Sequence, residues 1–452
     1  MRQTKSALFV VALTVVLLPG CKKTESWVEI NESGLRLFKA GQYREAETRL
    51  KEAVLLAEKA KDGGAELTES LESLAMVYYV QKDYADAETM IGRALALREK
   101  NPATANAEKL ASDLSVLADC VFQQGRLKDA ESLYKKAIEN LQRASLDESA
   151  TMAKSVSGLG LIYQKTGKLE EAEREQRLAL ELAEKNLADR NPAVDTRQKA
   201  VMLANLGNLL MARKKTGEAE KTFKQAIEVI EAERENSEPA SEFRSDPVAA
   251  EALTRLAEIY SASGKEDRAV ELLERAVSMR ETLFGETSRA TVDTVDRLAR
   301  IYRDQGNWKK AQTYYKRILS ARTLTLGTDH IDTSKTMSAL ARVYLKTGQL
   351  KEAEPLFVKA LAVQEHALGA ASPLLLSTTL GYAGLLTEEG RLDQADDYYQ
   401  KALTMSEKLW GREDPKILPA LEGFTVLLVK RNMLDQARVL EERAESIKKA
   451  GQ

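Results

Sequence analysis

Two histidines and two cysteines are all that this 452-residue chain offers of the side chains that most often hold metals or act as nucleophiles. So few cannot build a Cys/His metal cluster or a disulfide framework. His330 lies in a turn beside Asp329 and Asp332, and His366 near the end of a helix, both settings in which a lone histidine is structural. Cys120 falls within an apolar-periodic helix and reads as a small buried residue rather than an activated thiol. Ser261-Ala262-Ser263-Gly264-Lys265 ends in Gly-Lys, but no glycine precedes it at phosphate-loop spacing and no strand leads into it, so it reads as a turn. The many Asp and Glu residues are dispersed along helix faces, where they solvate. No catalytic set and no cofactor site emerges, which leaves binding as the chemistry to look for.

Charged residues make up 30% of the chain and balance to a net charge of −2, with no basic field for nucleic acid. The segment Leu340 to Gly369 shows how the chain is built. Leu340, Ala341 and Tyr344 share one helical face, Gly348 punctuates, and Ala353, Phe357 and Ala360 form a second apolar stripe, which predicts two helices joined by a tight turn. The second-helix alanine recurs at Ala46, Ala87, Ala130, Ala172, Ala219, Ala269, Ala311, Ala353, Ala395 and Ala437. Seven residues on stands another alanine in every copy except one, where Ile318 replaces it. Small residues at fixed places let neighbouring helix backbones approach closely. Nine residues before the marker is a bulky apolar residue such as Tyr78, Tyr260 or Leu386, and five before it a glycine such as Gly41, Gly264 or Gly390, replaced in three copies by Lys82, Lys214 and Asn432. A glycine there relaxes the turn that ends the first helix.

With its Leu-Gly/Ala, Tyr, Ala, Phe/Tyr and Ala positions, the chain resembles the tetratricopeptide repeat family over about residues 27 to 447. The period of 42 residues in most intervals and the turn Leu326-Gly327-Thr328-Asp329-His330, echoed at Phe284-Gly285, Leu368-Gly369 and Trp410-Gly411, are similar to the kinesin light chain subgroup. The resemblance implies an all-α fold, a right-handed superhelical solenoid of about ten helix-turn-helix repeats. Repeats one to five occupy 27–234 and repeats six to ten, with a polar C-terminal cap, 248–452. Between them, 235–247 is polar, carries two prolines and has no apolar period, so it is expected to be a loop or hinge.

In this family the concave face is lined by the first helices, and the family's motif places the groove positions of repeats one to three at Leu35, Phe38, Met76, Tyr79, Asp119 and Phe122. That is an apolar, aromatic patch suited to a peptide, unless tightly curved neighbours bury it. In repeats seven and eight the same positions give Arg300, Arg303, Arg342 and Leu345, with Arg297, Lys335 and Lys346 nearby. Such a basic cluster can hold a carboxylate or acidic segment, unless Asp293, Asp296 and Asp304 on the same helix neutralise it. Asn205 and Asn208 in the fifth repeat resemble groove asparagines that hold a peptide backbone in some members.

The first twenty residues stand apart, with Arg2 and Lys5 ahead of an apolar run from Ala7 to Leu18 too short to span a bilayer. Leu18, Gly20 and Cys21 resemble a bacterial lipoprotein signal, with Pro19 departing from the usual small residue. The resemblance implies lipidation at Cys21, against an ordinary cleaved signal or an uncleaved anchor. Residues 1–20 would then be signal and 21–26 lipidated cysteine and tether, and Lys22 in place of Asp favours the outer membrane, facing the periplasm, in a cell with two membranes. The function expected is a non-enzymatic, lipid-anchored scaffold of the bacterial cell envelope that binds a protein or peptide partner in the groove. The alternatives are an enzyme or small-molecule receptor built from dispersed groove residues, or a cytoplasmic adaptor.

Overall fold

Buried alanines set the spacing of the helices. In the computed structural model, which describes residues 25–60, 64–100, 106–188, 196–236 and 246–450, all ten marker alanines are buried, as are all ten residues seven places on, Ile318 included. Cys21 with its signal, and residues 237–245 of the expected hinge, lie outside the described residues. The described secondary structure is all helical.

The chain divides into two compact units, Met1–Ala193 and Val194–Gln452. The first contains α1 (Trp27–Lys39), α2 (Tyr43–Lys59), α3 (Gly64–Gln81), α4 (Tyr84–Lys100), α5 (Ala107–Gln123), α6 (Leu127–Arg143), α7 (Ala150–Lys165) and α8 (Leu169–Ala188). The second begins with α9 (Thr196–Ala212), α10 (Thr216–Asn236), α11 (Pro247–Ala262), α12 (Glu266–Phe284), α13 (Arg289–Asp304) and α14 (Trp308–Leu326). It continues with α15 (Ile331–Lys346), α16 (Leu350–Leu368), α17 (Pro373–Glu388), α18 (Leu392–Trp410), α19 (Leu418–Lys430) and α20 (Leu434–Ala450). Each odd-numbered helix pairs with the even-numbered helix after it. Within each unit pairs stack on pairs, with direct contact between odd-numbered neighbours such as α5 and α7 or α15 and α17. Within each unit the pairs form a solenoid of helix-turn-helix repeats, four in the first unit and six in the second.

The turn inside each repeat uses one backbone device. Five residues before the marker alanine the chain enters the left-handed region in every copy, at φ +74° for Gly41, +72° for Gly348 and +77° for Gly390. Lys82, Lys214 and Asn432 adopt it too, at +70°, +60° and +61°. The next amide then closes back on the helix, as Gln349 N does on Tyr344 O at 2.9 Å, satisfying carbonyls that the helix end would leave bare.

Polar staples tie repeat to repeat at the eleventh position after the marker. Arg98 on α4 pairs with Glu72 on α3 of its own repeat and with Asp113 on α5 of the next, the latter at 2.7 Å. Arg280 on α12 pairs with Glu251 on α11 at 2.5 Å and donates to Ala290 O and Thr294 Oγ1 on α13. Arg322 on α14 repeats the pattern, to Asp293 on α13 at 3.4 Å and to Asp332 O and Thr336 Oγ1 on α15. Gln364 takes the same place on α16 and donates to Ser334 Oγ at 3.3 Å.

Candidate functional site

The residues that sequence offered for catalysis occupy structural places. His330 caps α15, its Nδ1 accepting from Asp332 N at 3.1 Å. His366 is exposed on α16. Cys120 is fully buried on α5, and burial pushes its thiol up to about 12, where it is no nucleophile at neutral pH. Ser261 to Lys265 closes α11, with Gly264 at φ +72° and Lys265 N bonded to Tyr260 O at 2.8 Å. Among the described residues no cluster of three His, Cys, Asp or Glu is arranged to hold a metal.

The aromatic patch of the first unit lies on α1, α3 and α5. Met76 is exposed, while Leu35, Phe38, Tyr79 and Phe122 are half-buried. The rings are held by the start of the following helix: Phe38 packs on Tyr43 with centroids 5.7 Å apart, and Tyr79 meets Tyr84 edge-on at 5.5 Å. Asp119 accepts a hydrogen bond from the Tyr134 hydroxyl of its own repeat and pairs with Lys154 of the next at 3.4 Å, so its charge is spent within the solenoid wall. Asn205 and Asn208 are half-buried on α9 of the second unit.

The basic residues converge. Arg297, Arg300 and Arg303 on α13, Lys335 and Arg342 on α15, and Leu374 and Ser377 on α17 line one cleft of about 500 Å³, with Tyr315 and Arg322 of α14 contributing. Lys346 is exposed on α15 and is not part of the lining, and Leu345 is half-buried. Helical register brings the arginines to one side, because positions three and four apart share a face and the repeat restores that face on the next odd-numbered helix.

Most of these charges are matched. Arg300 pairs with Asp296 at 2.5 Å, Arg303 with Asp304 at 2.8 Å and Lys335 with Asp332 at 2.8 Å, and Arg297 reaches Glu258 on α11. The neutralisation foreseen for α13 therefore occurs, and Arg342 is the exception. It donates to the backbone and hydroxyl oxygens of Ser377, its Nε is buried with no acceptor, and no carboxylate pairs with it among the described residues. Burial, and after it the nearby charge of Arg303, depress its guanidinium below the ordinary value. Gly381 beside it makes room for the Phe357 ring, 2.7 Å from where a Cβ would lie, and Arg342 Nε sits 3.4 Å from the same point. Arg297, Arg300, Arg303, Arg322, Lys335 and Arg342 face three carboxylates in the cleft, Asp293, Asp296 and Asp332, an excess of positive charge that favours an incoming anion. Tyr315, Arg322 and Ser377 escaped sequence reasoning because they come from an even-numbered helix and from the next repeat; for Arg322 the signal available was the recurring staple position.

The tetratricopeptide repeat signature matches residues 66–143, 108–185, 198–282, 248–322 and 288–366, and a second form of it matches 381–409. No curated protein matches the sequence. Among solved structures, a signal transduction ATPase with numerous domains and a tetratricopeptide repeat sensor from Pyrococcus horikoshii matches with TM-score 0.57 and 16% identity, over 88% of this chain and 55% of that one. BtubC from P. vanneervenii matches at TM-score 0.40 and 22% identity, over 58% and 93% of the two chains. A putative kinesin light chain of Podosopora anserina with TPR-like repeats matches at 0.40 and 21%, over 48% and 98%. The first of these likenesses speaks to the fold. With ten buried marker alanines, ten left-handed turns and signature matches over more than half its length, the chain belongs to the tetratricopeptide repeat family.

Proposed function

We propose that this protein is a non-enzymatic binding scaffold, lipid-anchored through Cys21 in the bacterial cell envelope, that takes an acidic segment of a partner protein in the arginine cleft of its second unit. Envelope placement rests on the lipobox-like Leu18, Gly20 and Cys21; among the described residues no helix is long and apolar enough to cross a membrane. The binding reading is carried by Arg342, a desolvated cation beside Arg303 with no carboxylate partner among the described residues. A partner carboxylate entering the cleft would supply the missing counter-charge and desolvate with it, the situation in which a charged pair adds affinity and orientation.

Titration of a fluorescent acidic peptide into the purified chain tests this. An Asp/Glu-rich peptide binds, its Asn/Gln counterpart does not, and Arg342→Ala weakens binding by about tenfold, within the range for loss of a charge pair across an interface. Raising the salt weakens the wild-type complex as well. Equal binding of the acidic and amide peptides, or by wild type and Arg342→Ala, contradicts the reading.

A further inference from the structure

The first unit has a second cleft, on its even-numbered helices. It has a volume of about 670 Å³, runs between α6 and α8, and is floored by α7. Met152, Val156 and Leu159 form a buried floor, Ile138 and Leu182 are half-buried on the sides, and Leu178 is exposed at the lip. Acids rim this apolar space: Glu139, Asp147, Glu148 and Glu175, against the single cation Lys135. Lys135 is engaged with Glu131 at 2.6 Å, Glu139 with Arg143 at 2.6 Å and Glu148 with Lys185.

Glu175 is half-buried, whereas Asp147, which is also unpaired among the described residues, is exposed. Glu175 makes no hydrogen bond or ion pair with any described residue; burial raises its carboxyl above the ordinary range, and the charge of adjacent Arg174 offsets only part of that. Its place in the repeat is informative. Three residues after the marker alanine, the other copies carry Met90, Leu133, Leu272, Tyr314, Leu356, Tyr398 and Leu440, all half-buried, and only Arg49 and Thr222 besides. The slot is one that this solenoid fills with a large apolar side chain. In the fourth repeat it holds a carboxylate instead, at a desolvation cost that Arg174 offsets only in part.

We propose that this cleft is a docking site for a basic side chain of a protein partner, the aliphatic stem lying along Ile138, Leu178 and Leu182 and the cationic head meeting Glu175. Long basic side chains suit such a place, since their methylene stems bury against apolar surface while the head seeks charge. The acidic rim selects this occupant over an acidic or purely apolar one by charge complementarity. The site is separate from the arginine cleft and takes the opposite charge, so one scaffold would hold two chemically distinct segments.

The test is a titration of the full chain with an amphipathic helical peptide of Leu and Lys, beside a counterpart with Glu for Lys. The Leu/Lys peptide binds and the Leu/Glu peptide does not. Glu175→Leu weakens binding by at least about tenfold, Glu175→Gln weakens it in the same direction, and Arg342→Ala leaves it unchanged. Because leucine is what other repeats carry in this slot, Glu175→Leu also raises the melting temperature of the free protein. Unchanged binding by Glu175→Leu, or equal binding of the two peptides, overturns the proposal. A fall in melting temperature would show that Glu175 holds the repeat together and overturn it as well. Saturation by hexylamine at the peptide's own affinity would make the occupant a small amine, against the protein assignment.

Discussion

Arg98 reaches two carboxylates at once, Glu72 and Asp113, and all three side chains are largely withdrawn from water. Burial outweighs the pairing: the Glu72 carboxyl is pushed up to about 6 and Asp113 is raised too, with desolvation the largest cause for each. A carboxyl raised on folding adds stability that is complete below its unfolded value near 4.5 and fades as pH rises through about 6. Chemical denaturation of wild type and Glu72→Gln between pH 7 and pH 4.5 should therefore show the wild type gaining on the variant by about 1 kcal/mol as pH falls, after allowance for the group's partial exposure; a gap that narrows or stays flat contradicts the assignment. Single residues were the least legible part of the sequence. Arg300, Arg303 and Arg342 could be read because the repeat register numbers them, but which of them kept an unspent charge depended on Asp296, Asp304 and Ser377, whose reach is set by the folded structure. Glu175 passed as one more solvating acid in a chain full of them, although its repeat position, apolar in seven other copies, was the available signal.

The turn between paired helices imposes a left-handed residue in all ten repeats, and in two of them it falls on a lysine, Lys82 or Lys214, whose side chain disfavours it. Lys82→Gly removes the strain and, despite the extra freedom of glycine in the unfolded chain, should stabilise the protein by about 0.5–1 kcal/mol with the acidic-peptide affinity unchanged; thermal melts that show a loss of stability would mean that the Lys82 side chain does more than tolerate the turn. At this scale the sequence was most informative. Spacing of alanine, tyrosine and glycine determines helix pairs, turn positions and the buried face because each is set by a local steric requirement that the chain meets ten times over. The arginine staples were not foreseen, since Arg98, Arg280 and Arg322 look like surface charge until the neighbouring repeat closes over them.

A solenoid is stabilised repeat by repeat through nearest neighbours, so an irregularity in one repeat need not disturb the rest. The chain uses that tolerance to vary its surfaces: half-buried aromatic rings on α1, α3 and α5, an acid-rimmed apolar cleft across α6 to α8, and an arginine cleft across α13, α15 and α17. The two compact units divide at Ala193/Val194, between the fourth and fifth repeats, and the loop expected at 235–247 falls within the second unit, where α10 and α11 pack on each other. The spacing between marker alanines lengthens at both places. The repeat count was legible at this scale because it needs only period. The partner was not, because a fold that only supplies surfaces leaves its ligand to their local chemistry. The most direct measurement places a photo-crosslinking amino acid at Ala339, in the wall of the arginine cleft, and recovers crosslinks from membrane and soluble fractions of the host. The account predicts a protein crosslinked through an acidic segment in the membrane fraction, lost with Arg342→Ala and moved to the soluble fraction with Cys21→Ser; a crosslink indifferent to Arg342, or a protein that stays with the membrane after Cys21→Ser, would contradict it.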